Sequence, residues 1–148
     1  INNAINEKKH PIYGDGKQIR DWLYVEDHCN ALILLIEKGR IGETYNIGGD
    51  SEMTNLKLVK SICNILNKKI PRKKGKYENL ISFVKDRPGH DLRYSIDSSK
   101  IKKELNWKPH ESIDSGIVKT VEWYINNPKW LKDNINIEYK KWTKAQYK

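Results

Sequence analysis

Two arginines in this 148-residue sequence stand beside glycine-bearing turns, and each offers a planar five-donor fork that matches a phosphate as a lysine cannot. Arg87 lies in "VKDRPGHDLRY" (84–94), where Asp86, Arg87, Pro88, Gly89, His90, Asp91 and Arg93 crowd one turn. The turn itself needs only Pro88 and Gly89, one to fix φ and one to permit unusual values of it. The surplus charge points to an anion-binding loop, or else to a solvated loop in which Arg87 pairs with Asp86 or Asp91. Arg20 lies in "HPIYGDGKQIRDW" (10–22), where two glycines flank Asp15; without further context that stretch is a hairpin turn. A third stretch, "YNIGGDSEMTN" (45–55), connects glycines to a helix at Asn55. A helix start there would offer free N–H groups to an anion, or Asn55 would simply cap it.

Groups for making and breaking bonds are missing. There is no GxxGxxG after an opening strand, no GxSxG and no metal-ligand spacing, and "YINNPK" (124–129) has the wrong spacing for a Tyr-x-x-x-Lys hydride-transfer pair. His28, inside a helix beside Cys29, reads as packed or capping, while His10 and His110 fall in loops with no evident partner. The residues thus describe binding without a catalytic pair.

The elements that must hold these groups alternate. "QIRDWLYV" (18–25) reads as a strand, followed by a helix over "EDHCNALILLIEKG", with acidic residues at its start and Gly39 as its stop. "GETYNIGG" (42–49) reads as a short strand ending in a Gly pair. A helix then begins at Thr54 or Asn55, with Leu56, Val59, Ile62, Cys63 and Leu66 on one face. "LISFV" (80–84) is a strand that delivers the chain into the charged turn. Asp97 or Ser98 caps the next helix, and "SIDSGIVKTVEWYINN" (112–127) is the clearest helix, with Pro128 past its end. This alternation predicts an α/β arrangement with too few strands for a complete doubly wound sheet. Each of the three binding stretches falls where a strand or turn ends, the usual place for ligand contacts in such folds.

Composition narrows the partners. A net charge of +9 suggests an anionic partner, although the run "NKKIPRKKGK" (67–76) reads mostly as a solvated face. Nucleic acid is the rival from another class; against it, the lysines are spread along the chain and no helix-turn-helix, zinc finger or RNP pattern appears. Two cysteines, Cys29 and Cys63, form no disulfide framework and read as small buried hydrophobes in a reducing compartment. The longest apolar run, "ALILLI" (31–36), is too short for a bilayer, and no signal sequence opens the chain, so a cytoplasmic protein without a membrane partner is expected. The opening "INNAINEKKH" has no Met and reads like a helix end entering a loop, as if an upstream part of the natural protein were missing.

Taken together, "PIYGDGKQIRDWLYVEDHCNA", "GETYNIGG" with an asparagine six residues on, "DRPGHDLRYSID", "LNWKP" and "VKTVEWY" resemble the C-terminal portion of the dTDP-glucose 4,6-dehydratases, within the extended short-chain dehydrogenase/reductase family. The resemblance runs from about Asn3 to the chain end. It implies an α/β fold, the substrate-binding part of an extended Rossmann-type dehydratase, and an NAD-dependent lyase as the parent. There NAD takes a hydride from C4, water leaves from C6, and the hydride returns to C6. It implies that NAD and all catalytic residues belong to an N-terminal Rossmann portion that has no counterpart here, that the parent is a homodimer, and that a dTDP-sugar is the partner. By the same resemblance Pro11, Ile12 and Tyr13 lie beside the nucleotide, Arg20 reaches the phosphates, and Asn55 binds substrate. Asp86, Arg87, Pro88, Gly89 and His90 close over the nucleotide, and Tyr147 matches a late tyrosine. His10 departs from the pattern, standing where the family usually has an apolar residue. Another NAD-dependent nucleotide-sugar epimerase or dehydratase is the alternative within the class.

Overall fold

Side chains of His10–Tyr13 alternate between buried and half-buried, the period of a strand, and these residues form β1. In the computed structural model of the protein, which describes residues 1–135, β1 runs parallel to β4 (Ile81–Val84), in register from His10↔Ile81 to Tyr13↔Val84. A second pair is antiparallel: β2 (Ile19–Asp21) lies against β3 (Glu52–Thr54). Ile19 also bridges Arg93, donating its N–H to the Leu92 carbonyl at 2.7 Å and accepting from the Tyr94 N–H at 3.1 Å. The chain leaving the charged turn is thereby returned to β2.

Helices supply the bulk. Among the described residues they are α1 (Asn2–Ile5), α2 (Val25–Lys38), α3 (Asn55–Lys69), α4 (Ser99–Leu105), α5 (Ile113–Asn126) and α6 (Pro128–Asn134), with a 3₁₀ turn at Tyr77–Leu80. Apolar positions three and four apart put Cys63 and Leu66 of α3 against Ile117 and Val121 of α5, closed by Ala4 and Tyr77. Each such side chain, fully buried, contributes about 1.5–3 kcal/mol. A second cluster joins Ala31 of α2 to Ile101 of α4 and to Trp107. Thr54 and Ser112 cap α3 and α5, accepting from the N–H groups of Lys57 and Ser115.

The α/β class and the few short strands agree with the sequence, and several details differ. The strand expected over 18–25 is only β2, because Trp22 turns away, its N–H donating to Ser51 and its indole to the Met53 carbonyl. The segment 42–49 is not a strand: no described strand lies beside it, and its carbonyls and side chains pair with Lys100 and the Asp97 carbonyl. Gly39 ends α2 in an extended conformation, where a Cβ would come within 2.5 Å of the Leu35 carbonyl oxygen. Cys29 is exposed on α2, whereas Cys63 is buried as expected. His28 is exposed and neither packed nor capping. His10 belongs to β1 and is buried, which pushes its imidazole below the ordinary 6.5, with the chain's amino group and Arg72 adding to the effect.

His110 is not without a partner. Asp27, in the first turn of α2 and 2% exposed, accepts the backbone N–H groups of His110 at 2.9 Å and Glu111 at 3.0 Å. The His110 Nδ1 lies 3.2 Å from the same carboxylate. Burial works to raise the Asp27 carboxyl, but the two backbone donors and the imidazole outweigh it and hold the group below the usual 3.8. Its contribution to stability is therefore present above pH 3.8 and fades as pH falls through the lower native value. Asp27→Asn should destabilise the fold by about 1.5–3 kcal/mol at neutral pH, the scale of hydrogen bonds to a charged group. The gap to wild type should narrow in urea titrations taken below pH 3.8; a gap that stayed constant with pH would mean that the charge plays no part.

Candidate functional site

The two strand pairs bring the three binding stretches to one region. β1 carries Pro11 and Tyr13 half-buried, while Ile12 turns its side chain into the interior at 5% exposure. Beside it, β4 leads directly into Asp86 and Arg87, and the Gly14 N–H extends the ladder by donating to the Val84 carbonyl at 3.0 Å. β2 holds Arg20, opposite Met53 of β3, and β3 runs straight into Asn55 at the start of α3.

Arg20 is held on several sides. Its Nη1 donates to the Ile19 carbonyl at 2.6 Å and its Nη2 to the Asp91 carbonyl at 3.1 Å. The guanidinium carbon sits 4.4 Å from the centre of the Tyr94 ring, a cation–π contact that fixes its plane. The Tyr94 hydroxyl donates to the Asp91 carboxylate, which pushes the phenol above 10.0, while the charges of Arg20 and Arg87 both oppose that push. Tyr94 is thus in direct ring contact with Arg20 and also feels the charge of Arg87. Arg87 is exposed, and among the described residues its guanidinium makes no ion pair, so the pairing with Asp86 or Asp91 weighed from the sequence is not formed. Its fork is available to an anion.

Asp86 is engaged within the protein. Its carboxylate accepts from the His90 Nδ1 at 2.7 Å, the Arg87 N–H at 2.9 Å and the Gln18 Nε2 at 2.9 Å. The His90 hydrogen bond leads the effects that hold this carboxyl below 3.8. The His90 ring packs edge-on to Tyr13, with centroids 6.1 Å apart, and its side chain is 5% exposed. Gly89 has φ +65° with open space around it, so it serves the turn's conformation. Gly14 has φ +56° and a Cβ there would come within 2.7 Å of the Asp86 Oδ2; it serves both conformation and close approach.

The start of α3 does not offer the free donors expected of it. Asn55 N–H donates to the Gln18 carbonyl at 2.9 Å, Leu56 N–H to the Gly16 carbonyl at 3.0 Å, and Lys57 N–H to Thr54 Oγ1 at 3.2 Å. Asp21 takes the N–H groups of Gly49 and Ser51, both at 2.8 Å. What remains for a ligand at Asn55 is its side-chain amide, which has no hydrogen bond among the described residues; Thr54, not Asn55, is the cap. Gln18 and Tyr94 were passed over in the sequence although both lie inside the stretches that raised the question, because nothing local marks them as partners of Asp86 and Arg20. Tyr147 lies outside the described residues. A cavity of about 570 Å³ is lined by Trp22, Tyr24, Gly49, Ser51, Ile62 and Ile117; it touches the 45–55 stretch at Gly49 and Ser51, but Arg20, Asn55, Asp86, Arg87 and His90 do not line it. Among the described residues, no cluster of metal-ligating side chains occurs and no helix is long and apolar enough to cross a membrane.

The family described as GDP-mannose 4,6 dehydratase matches residues 1–120. A dTDP-glucose 4,6-dehydratase of Shigella flexneri is 50% identical over 147 residues, which is 99% of this chain and 40% of that protein. The crystal structure of a dTDP-glucose 4,6-dehydratase from Bacillus anthracis in complex with NAD is similar with a TM-score of 0.75 and 43% identity, covering 87% of this chain and 38% of that one. The Streptomyces venezuelae dTDP-glucose 4,6-dehydratase, also solved with NAD, gives 0.74 and 39% over the same shares, 87% and 38%. The chain thus spans about 40% of the length of the curated relatives it matches.

Two glycines of similar φ separate conformation from contact. Gly89→Ala should cost only the left-handed backbone penalty, about 1–2 kcal/mol. Gly14→Ala should cost more, because the new methyl group also displaces Asp86 from Gln18. Urea unfolding of the two variants checks the order, and equal costs would show that the Gly14–Asp86 approach carries no energy.

Proposed function

This chain belongs to the GDP-mannose 4,6 dehydratase family, and we propose that it forms the nucleotide-diphosphate-gripping part of a dTDP-glucose 4,6-dehydratase whose parent converts dTDP-glucose to dTDP-4-keto-6-deoxyglucose. The observation that carries the reading is that Arg20 on β2, stacked on Tyr94, and Arg87 in the turn after β4 lie on stretches joined by the Ile19 hydrogen bonds to Leu92 and Tyr94, with Asn55 following β3 at the head of α3. Two planar forks of fixed charge suit a diphosphate, whose two phosphoryl groups each accept a bidentate pair. In this reading Pro11 and Tyr13 flank the base, Ile12 contributes main chain, the Asn55 amide binds the substrate, and the turn 86–90 closes over it. Tyr147 keeps the role its resemblance gives it.

On the resemblance we assign NAD, and the catalytic groups with it, to the part of the parent outside this chain. In support, the glycine pair at 48–49 is packed against Asp21 and Trp22, and Gly14 and Gly16 face Asp86, Ile12 and Leu56. On the resemblance, the parent is a cytoplasmic homodimer that binds no nucleic acid; the two unpaired cysteines fit a reducing compartment.

Thermal melts of the 148-residue chain test the reading. A ligand that binds only the folded state at about 100 times its Kd stabilises by about 2.7 kcal/mol, a shift of several degrees. dTDP should produce such a shift, with GDP, NAD and inorganic phosphate producing little. An equal shift from GDP would move the assignment to a different nucleotide sugar, and one from NAD alone or from phosphate would overturn it. In the same assay Arg87→Lys should weaken dTDP binding by about 1.5–3 kcal/mol, the scale of a charge-assisted fork, while Lys74→Ala, in the exposed basic run, should leave it nearly unchanged. Equal losses would mean that diffuse positive charge holds the ligand.

A further inference from the structure

We propose that Gln18 and Asp86 are positioning residues for this site: their hydrogen bond locks the turn 86–90 to the β1–β2 connection, so that Asp86 sets the placement of Arg87 and His90 without touching the ligand. The inference rests on the nucleotide-diphosphate reading for its ligand and on separate geometry for its mechanism. Three donors already occupy the Asp86 carboxylate: Gln18 Nε2 on one oxygen, the Arg87 N–H and His90 Nδ1 on the other. A carboxylate has about four acceptor positions, so little capacity is left. A second reason is electrostatic. An ionised carboxylate turned toward a diphosphate would repel it, and direct contact would weaken the binding that the arginines supply.

Gln18 is the unexpected member. Its side chain is 5% exposed, its Oε1 is buried with no hydrogen-bond partner among the described residues, and its single side-chain bond is the one to Asp86. A buried acceptor left unpaired is destabilising, so a glutamine here is poorly explained by stability alone. It is explained by the link, which ties positions 68 apart in sequence. Gly14 supports it by leaving room for the Asp86 Oδ2, and Tyr13 receives the edge of the His90 ring that Asp86 orients. Arg87 follows on directly: its N–H is fixed by Asp86, while among the described residues its guanidinium makes no ion pair or hydrogen bond.

The test compares Asp86→Ala, Gln18→Ala, Arg87→Ala, the Asp86→Ala/Arg87→Ala pair and the exchange Asp86→Asn/Gln18→Glu, all in the 148-residue chain. In the exchange the carboxylate moves to position 18 and the amide donor to position 86, so the link can re-form with its polarity reversed. Calorimetric titration with dTDP should show about tenfold weaker binding for Asp86→Ala, recovery to within about threefold in the exchange, and a loss from Arg87→Ala that is much smaller when Asp86 is already absent. Tighter binding by Asp86→Ala, or losses that add in full, would mean that Asp86 faces the ligand, and the proposal would fall. Hydrogen exchange of the 87 and 89–90 amides in the ligand-free chain should quicken about tenfold in Asp86→Ala and Gln18→Ala and slow again in the exchange. Unchanged exchange overturns the positioning role whether or not dTDP binds. Absence of dTDP binding by wild type counts against the nucleotide reading alone, and the exchange rates then decide the link. If Asp86→Ala does not fold, Gln18→Ala and the exchange variant decide both measurements.

Discussion

The site depends on both backbone groups of Ile19. Its N–H and its carbonyl pair with Leu92 and Tyr94, while the same strand pairs on its other edge with β3. A strand of three residues would be marginal by itself. Here it is the seam where residues following the charged turn, residues preceding α3 and the arginine at position 20 are held at hydrogen-bonding distance. Without that seam the two arginines would sit on unconnected loops, and the Tyr94 ring beneath Arg20 would have no reason to be there.

Carboxylates repeat one task around this seam. Asp21 takes the N–H groups of Gly49 and Ser51, Asp27 those of His110 and Glu111, and Asp86 that of Arg87. Loops that run against a small core leave backbone donors without ladder partners, and a short ionised acceptor satisfies two at once. The glycines complement these anchors, since a Cβ at Gly49 would come within 2.2 Å of the Trp22 carbonyl oxygen and one at Gly14 would strike Asp86. Acid and glycine together let irregular chain pack closely around Arg20, while Arg87 stays exposed.

Apolar surface also lies outside the two cores. Val25, Leu32, Ile33 and Ile36 of α2 are all exposed, Ile36 at 85%. A helix with apolar residues on a solvent-facing side is built to be covered. The chain spans about 40% of the length of the curated relatives it matches.

What the sequence determined by itself was whatever depends on local period and local conformation. Residues 113–126 and 55–69 carry apolar side chains three and four apart behind Thr or Ser caps, and they fold as α5 and α3; Ile81–Val84 forms a strand; Gly89 takes a left-handed φ. That Arg20 and Arg87 each carry a planar five-donor guanidinium was legible too, because it resides in the side chain itself. Tertiary structure decided which groups were left free. The N–H donors at the start of α3 are taken by Gln18 and Gly16, the segment 42–49 pairs with no strand among the described residues, Cys29 faces outward, and Asp86 is bound to Gln18. Each of these outcomes turns on a partner far away in sequence. A periodic pattern specifies the face a side chain takes, but whether a donor or carboxylate is satisfied depends on which distant backbone the fold brings within 3 Å.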